Sequence, residues 1–253
     1  MRIALAGKGG AGKTTIAATL ARVEARRGGR VLAVDGDSNP NLAAALGIQA
    51  GLVGAPGSLS ASLVSRRLHG PALTIPVDEL MDRHAVLGPD GVRLLLMGMP
   101  AHADEGCLCA AHATVSALLG DLADRPDILT VVDMEASPEH LSRGTTRHAD
   151  VLLLVAEPYY RSLETIRRLA GLAAELSIPR VAVVANKVRS AAEAQAVAEF
   201  CTRHQFERLA EVAWSDEVVE ADRAGVPLLD ATPGGVTVTA ISRLAAQLRP
   251  ATS

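Results

Sequence analysis

Residues 7–14 read Gly7-Lys8-Gly9-Gly10-Ala11-Gly12-Lys13-Thr14, a G-x-x-x-x-G-K-[ST] run. The β-rich run Arg2–Ala6 precedes it and a helical pattern, Lys13–Arg27, follows. A strand, a glycine-rich turn and a helix in that order leave few folds open. Glycines let consecutive backbone N–H groups curl around an anion, and the start of the helix adds the positive end of its dipole. The pattern predicts that Gly9, Gly10, Ala11, Gly12, Lys13, Thr14 and Thr15 surround a row of phosphates. Lys13 then reaches the terminal phosphates, and the Thr14 hydroxyl binds Mg²⁺. A glycine-rich turn without a ligand is the plain alternative, and the flanking strand and helix argue against it.

Further β-rich runs follow at Arg30–Val34, Val92–Met97, Ile128–Val132, Val151–Val155, Arg180–Ala185 and Arg208–Ala213. Helical patterns lie between them at Thr114–Leu122, Ser162–Leu176 and Ala191–His204, with a last one at Thr237–Gln247. Strands alternating with helices predict a doubly wound, mostly parallel α/β sheet. At 253 residues the chain fits one such domain, 1–253, of the P-loop NTPase class. With 49% hydrophobic and 2% aromatic residues, the core must be built from Ala, Val, Leu and Ile. Gly51–Asp90, rich in Gly, Pro and Ser with one helical piece, reads as an insertion between the second and third strands.

Ligands in open α/β sheets sit at the carboxyl ends of the strands. Asp133 ends one such run and is expected to act as the Walker B carboxylate, holding Mg²⁺ through water. Asp35-Gly36-Asp37 and Asn186-Lys187 each follow a strand at the same edge. An Asp in that place is more often a turn or cap residue. The extra lysine of the loop, Lys8, makes the chain resemble the deviant Walker A ATPases, a dimeric group that includes MinD and ParA. That resemblance implies that Lys8 reaches the partner's nucleotide, Asp37 orients the attacking water, Asp35 sits near the metal and Asn186, beside Lys187, hydrogen-bonds adenine.

The chain has three cysteines, too few and too oddly spaced for a disulfide framework. Cys107 and Cys109, one residue apart, can face one soft metal ion, and a two-fold dimer would supply four thiolates. Thiolates suit Zn²⁺, Ni²⁺ or Cu⁺. His102 and His112 stand nearby, and Cys201 reads as a core thiol. The runs Glu105–Cys109, Asp133–Thr145, Val155–Pro158, Ser162–Thr165 and Ala185–Arg189 together resemble the CooC family of carbon monoxide dehydrogenase maturation ATPases. The resemblance implies an ATP-driven metallochaperone that binds nickel (or zinc) at Cys107 and Cys109 of a homodimer and serves an apo metalloenzyme. The chain departs from that family after the thiols, where it reads Ala110-Ala111-His112, and at Asp37-Ser38-Asn39-Pro40.

A net charge of −3 and the scarcity of aromatics argue against a nucleic-acid partner. No apolar run approaches the about 20 residues needed to span a bilayer, and no signal-peptide pattern opens the chain. A cytoplasmic location without membrane contact is the expectation. Two rival readings remain. A MinD- or ParA-like switch leaves Cys107 and Cys109 unexplained. An iron–sulfur reductase of the nitrogenase iron-protein type needs a cysteine after Asp133, and the chain has Glu135, Glu139 and His140 there.

Overall fold

The computed structural model describes residues 1–37, 39–49, 63–67, 70–97, 109–135, 141 and 145–249. It shows a single α/β domain. Its main sheet has eight strands in the order β10-β9-β8-β1-β7-β2-β6-β5. These are β1 (Arg2–Gly7), β2 (Arg30–Gly36), β5 (Val86–Leu87), β6 (Arg93–Leu96), β7 (Ile128–Met134), β8 (Val151–Ala156), β9 (Arg180–Val188) and β10 (Glu207–Ala213). All neighbours pair in parallel except the short edge strand β5 on β6. A small antiparallel hairpin, β3 (Val64–Arg67) and β4 (Gly70–Leu73), stands apart from the sheet.

The central strands form because they are apolar at nearly every position, the signature of a sheet covered on both faces. β8 is buried along its whole length. In β1 the alternation is visible: Ile3 and Leu5 enter one core, Ala4 and Ala6 the other. The first core is covered by α1 (Lys13–Arg26) and α9 (Val236–Leu248), through Ile16, Leu20, Val238, Ile241 and Leu244. The second lies under α3 (Val77–His84), α4 (Cys109–Asp121), α5 (Tyr160–Glu175) and α6 (Ala191–His204). Short helices α2 (Leu42–Leu46), α7 (Asp216–Arg223) and α8 (Leu228–Ala231) complete the described elements.

The expected helices and strands are present, with shifts at their ends. β9 runs to Val188, so Asn186 and Lys187 belong to the strand rather than following it. The helix expected from Thr114 starts at Cys109. The segment read as an insertion carries the β3–β4 hairpin, α3 and β5 among its described residues. Arg66, Arg67 and Pro71 break any apolar alternation there, so periodicity could not reveal the hairpin. Helices α7 and α8 went unread because they are short, and α7, Asp-Glu-Val-Val-Glu-Ala-Asp-Arg, is mostly charged.

Two polar contacts orient the layers. The Arg2 guanidinium, at the amino end of β1, donates to the Leu119 carbonyl at 2.8 Å and pairs with Asp150. That fixes the late turns of α4 at the amino edge of the sheet, so α4 opens at Cys109 on the carboxyl edge. On the other face, the Arg22 side chain in α1 is only 3% exposed and bonds Asp90 and Asp230 at 2.6 Å each. It ties the loop helix to the turn before β6 and to α8. Replacing Arg22 by Ala removes the buried partner of Asp90 and Asp230 and leaves them only the more exposed Arg26 guanidinium. The Arg22→Ala chain should lose about 2–4 kcal/mol of stability, read as a lowered urea midpoint at unchanged slope.

Candidate functional site

Five strands deliver their ends to one crevice. β1 runs into the glycine loop, β2 carries Asp35 and leads to Asp37, β7 carries Asp133, β9 carries Asn186 and Lys187, and β10 ends before Trp214. The glycine loop, Asp37, Asn186, Lys187 and Trp214 line a cavity of about 590 Å³; Asp133, buried behind Thr14, does not line it. One end is lined by Gly9, Gly10, Gly12, Lys13, Thr14 and Thr15. The other is lined by Trp214, Val218, Val226, Pro227 and Leu228. A polyanion fits the first end, and a flat apolar ring fits the second.

The loop has a shape that glycine makes available. Gly10 and Gly12 have φ of +78° and +95°, the left-handed region. Gly12 caps α1, and no side chain bonds the first amides of that helix. Those N–H groups and the dipole behind them are left for an anion. The loop is braced from β9: the Asn186 amide donates to the Ala11 carbonyl at 2.7 Å, and the Lys187 ammonium donates to the Gly10 carbonyl at 2.5 Å. Lys187 itself has φ +60°, a strained backbone that such bracing sustains. Its ammonium also pairs with Glu157 at 3.1 Å.

Lys13 is 7% exposed. Burial lowers its pKa, opposed by the charges of Asp133, Asp37 and Glu135. Asp35 and Asp133 are register partners on adjacent strands. Asp133 is 1% exposed, and one of its carboxylate oxygens has no hydrogen-bond partner among the described residues. The Thr14 hydroxyl bonds the same carboxyl. Desolvation, chiefly, pushes Asp133 up to about 7. A carboxylate with a bare oxygen beside a threonine hydroxyl, under a phosphate loop, is the hard-oxygen set that Mg²⁺ takes.

Asp35 is fully buried and its oxygens accept from the Leu42 and Asp37 amides at 2.8 and 3.2 Å. Burial raises it to about 6. It does not line the cavity; it shapes the turn that presents Asp37. Asp37 does line the cavity, with one oxygen accepting from the Asn39 amide at 2.8 Å. Lys8 does not line the cavity; it lies against Tyr159. Cys107, His102, Glu139, His140 and Ser38 lie outside the described residues, and of Cys109 only its place at the start of α4 is described. His112 is buried, its Nδ1 3.1 Å from the Thr145 hydroxyl. Among the described residues no group of three or more His, Cys, Asp or Glu side chains could hold a metal ion.

Sequence reasoning missed Glu157, Tyr159 and the apolar end around Trp214. Trp214 is the chain's single tryptophan; its indole N–H bonds Asp216 and the Arg189 guanidinium lies 3.9 Å from its ring centroid. A lone aromatic just after a strand in an aromatic-poor chain was the available signal.

A family model described as the CobQ/CobB/MinD/ParA nucleotide binding domain matches residues 3–228. The chain belongs to that family. As a member it is a P-loop ATPase. Carbon monoxide dehydrogenase accessory protein CooC of Rhodospirillum rubrum is 36% identical, over 92% of this chain and 91% of that protein. The resemblance to CooC read from the sequence therefore stands. An uncharacterized ATP-binding protein of Methanocaldococcus jannaschii is 35% identical over 90% of this chain and 91% of its own length. Among solved structures, MinD of Aquifex aeolicus superposes with a TM-score of 0.71 at 19% identity, covering 98% of this chain and 95% of that one. MinD of Pyrococcus horikoshii complexed with Mg-ADP gives 0.70 at 17% identity, with coverage of 98% and 95%. These likenesses establish the fold.

A Cβ at Gly12 would sit 2.3 Å from the Asn186 amide nitrogen, on a backbone L-residues resist. Gly12→Ala should therefore weaken ATP binding by about a hundredfold or more. Quenching of the single tryptophan on ATP addition reports it. The nucleotide-free chain carries a second signature. Asp133 has a folded pKa raised above its unfolded value, so its contribution favours folding below about pH 4 and is lost as pH rises toward 7. The melting temperature of the parent minus that of Asp133→Asn should fall across that window; a flat difference would show that Asp133 titrates normally.

Proposed function

We propose that the chain is an ATP-driven metallochaperone that works as a homodimer, carries nickel on Cys107 and Cys109, and delivers it to a carbon monoxide dehydrogenase-like apoenzyme in the cytoplasm. One observation carries the reading: α4 opens at Cys109 on the same sheet edge as the phosphate loop. A metal held where this helix begins would feel nucleotide state directly. The CooC relative, named for carbon monoxide dehydrogenase, supports the choice of client.

The chain's own residues would act as follows. The glycine loop and the first amides of α1 bind the phosphates. Lys13 faces the terminal phosphates, and its depressed pKa reflects the dry site in which the charge is used. Asp37, at the cavity wall, orients the attacking water. Lys8 does not line its own cavity, and acts on the phosphates of a second copy. Thr14 and Asp133 hold Mg²⁺, which when bound neutralises phosphate charge. Asn186, beneath the loop, borders the base and phosphate ends together. Closure of two subunits brings four thiolates around one nickel ion, and hydrolysis loosens them. Metal affinity and nucleotide state are then reciprocally coupled.

The membrane-switch alternative needs a free amphipathic tail helix. In α9 the apolar face is spent on the core: Val238, Ile241, Leu244 and Leu248 are all buried. Among the described residues no helix is long and apolar enough to cross a membrane.

The deciding measurement is titration of the reduced protein with Ni²⁺ and with Zn²⁺, with and without Mg-ATP, followed by thiolate-to-metal absorption and native mass. One metal per dimer is expected, with an affinity that moves with nucleotide and a site lost in the Cys107→Ala, Cys109→Ala double variant. Full nickel binding by that variant would place the metal elsewhere. Lys13→Ala should lower ATP turnover by about two to three orders of magnitude, while the thiol variant keeps its ATP affinity.

A further inference from the structure

Lys8 belongs to the glycine loop, yet neither it nor its contact Tyr159 lines the nucleotide cavity. Its ammonium donates to the Tyr159 hydroxyl at 3.4 Å and stands 5.6 Å from the centre of the ring. The phenol proton is already committed, since Tyr159 donates to Glu157 Oε2 at 2.7 Å. Only lone pairs remain on that oxygen, and a lone pair backed by a carboxylate suits a cation.

Glu157 is itself fixed. Its amide donates to the hydroxyl of Ser162, which is fully buried. Its other oxygen pairs with Lys187, which donates to the Gly10 carbonyl. The series Gly10, Lys187, Glu157, Tyr159, Lys8 therefore leaves the loop and returns to it two residues earlier. The direction of Lys8 is thus registered against the loop that grips the phosphates. Around it the surface is aromatic: Tyr159 is 41% and Tyr160 79% exposed, and they are the chain's only two tyrosines.

We infer that Tyr159 is a positioning residue for Lys8: backed by Glu157, its hydroxyl holds the ammonium outside the chain's own cavity, where a second copy's phosphates can take it up. This rests on the two-subunit reading above. A free lysine side chain must lose several rotatable bonds of freedom when it docks. Tyr159 removes part of that loss beforehand, which is preorganisation. It also keeps a single subunit from spending the cation on its own nucleotide.

The test is a four-protein cycle of the parent, Tyr159→Phe, Lys8→Ala and the double variant. Phenylalanine keeps the ring and removes only the hydroxyl. ATP hydrolysis is followed as single turnovers with protein in excess, which resolves residual rates, and self-association with ATP is followed by sedimentation. Tyr159→Phe should slow hydrolysis about fivefold, the scale of one exposed charged contact, with tryptophan-reported ATP affinity unchanged. The loss should vanish in the Lys8→Ala background, because the hydroxyl then has nothing to hold. A Tyr159→Phe penalty that persists without Lys8 overturns the inference, as does no penalty where Lys8→Ala is inactive. Full hydrolysis by Lys8→Ala would instead sink the shared-lysine reading itself.

Discussion

Half of the phosphate loop is glycine, which fixes no conformation by itself, so its shape must come from what lies against it. Gly7 approaches the Val155 carbonyl so closely that a Cβ there would sit 2.2 Å from it. Gly12 leaves the space that the Asn186 amide fills, and Lys187 holds the next carbonyl. The loop is thus moulded on β8 and β9, the two strands that lie beside β1 on one side. Register along three parallel strands, set by apolar packing on both faces, decides where each backbone N–H points. A slip of one residue in β9 would turn Asn186 away and leave a helix start without its brace.

The other side of β1 supplies the opposite charge. Asp133 and Asp35 are neighbours on β7 and β2, buried and raised in pKa by the loss of water. Burying two carboxyls side by side costs stability, and the sheet sustains it by different means. Asp35 has both oxygens on backbone amides and serves the turn carrying Asp37. Asp133 keeps one oxygen bare beside Thr14. One carboxyl is thus satisfied by backbone amides and the other keeps an unpaired oxygen. That contrast is invisible in the sequence, where both are an Asp at a strand's end.

Much of the fold was legible beforehand. Seven of the eight main-sheet strands and all but the shortest helices announce themselves by apolar runs or by 3.6-residue spacing, since each buries a face in one of two cores. The hairpin at Val64–Leu73, the edge strand β5 and helix α7 did not, because each is short, and β5 and α7 bury few side chains. The glycine loop was readable because glycine, lysine and threonine at that spacing after a strand form a specific pattern. Glu157, Tyr159 and Trp214 were not, because nothing local distinguishes a surface glutamate or an aromatic until its neighbours are known.

The amino-acid sequence alone determined the class of fold, the phosphate loop and the family, because those depend on local pattern: a run of glycines can be read one residue at a time. It also carried the resemblance to CooC, through short motifs spread along the chain. Tertiary structure alone decided the partners. It set Asn186 beneath the loop rather than free in the crevice, gave Lys187 to the Gly10 carbonyl, closed the oxygens of Asp35 and turned Lys8 outward onto Tyr159. Those outcomes depend on which strands lie side by side, and strand order arises from long-range packing that no local stretch encodes.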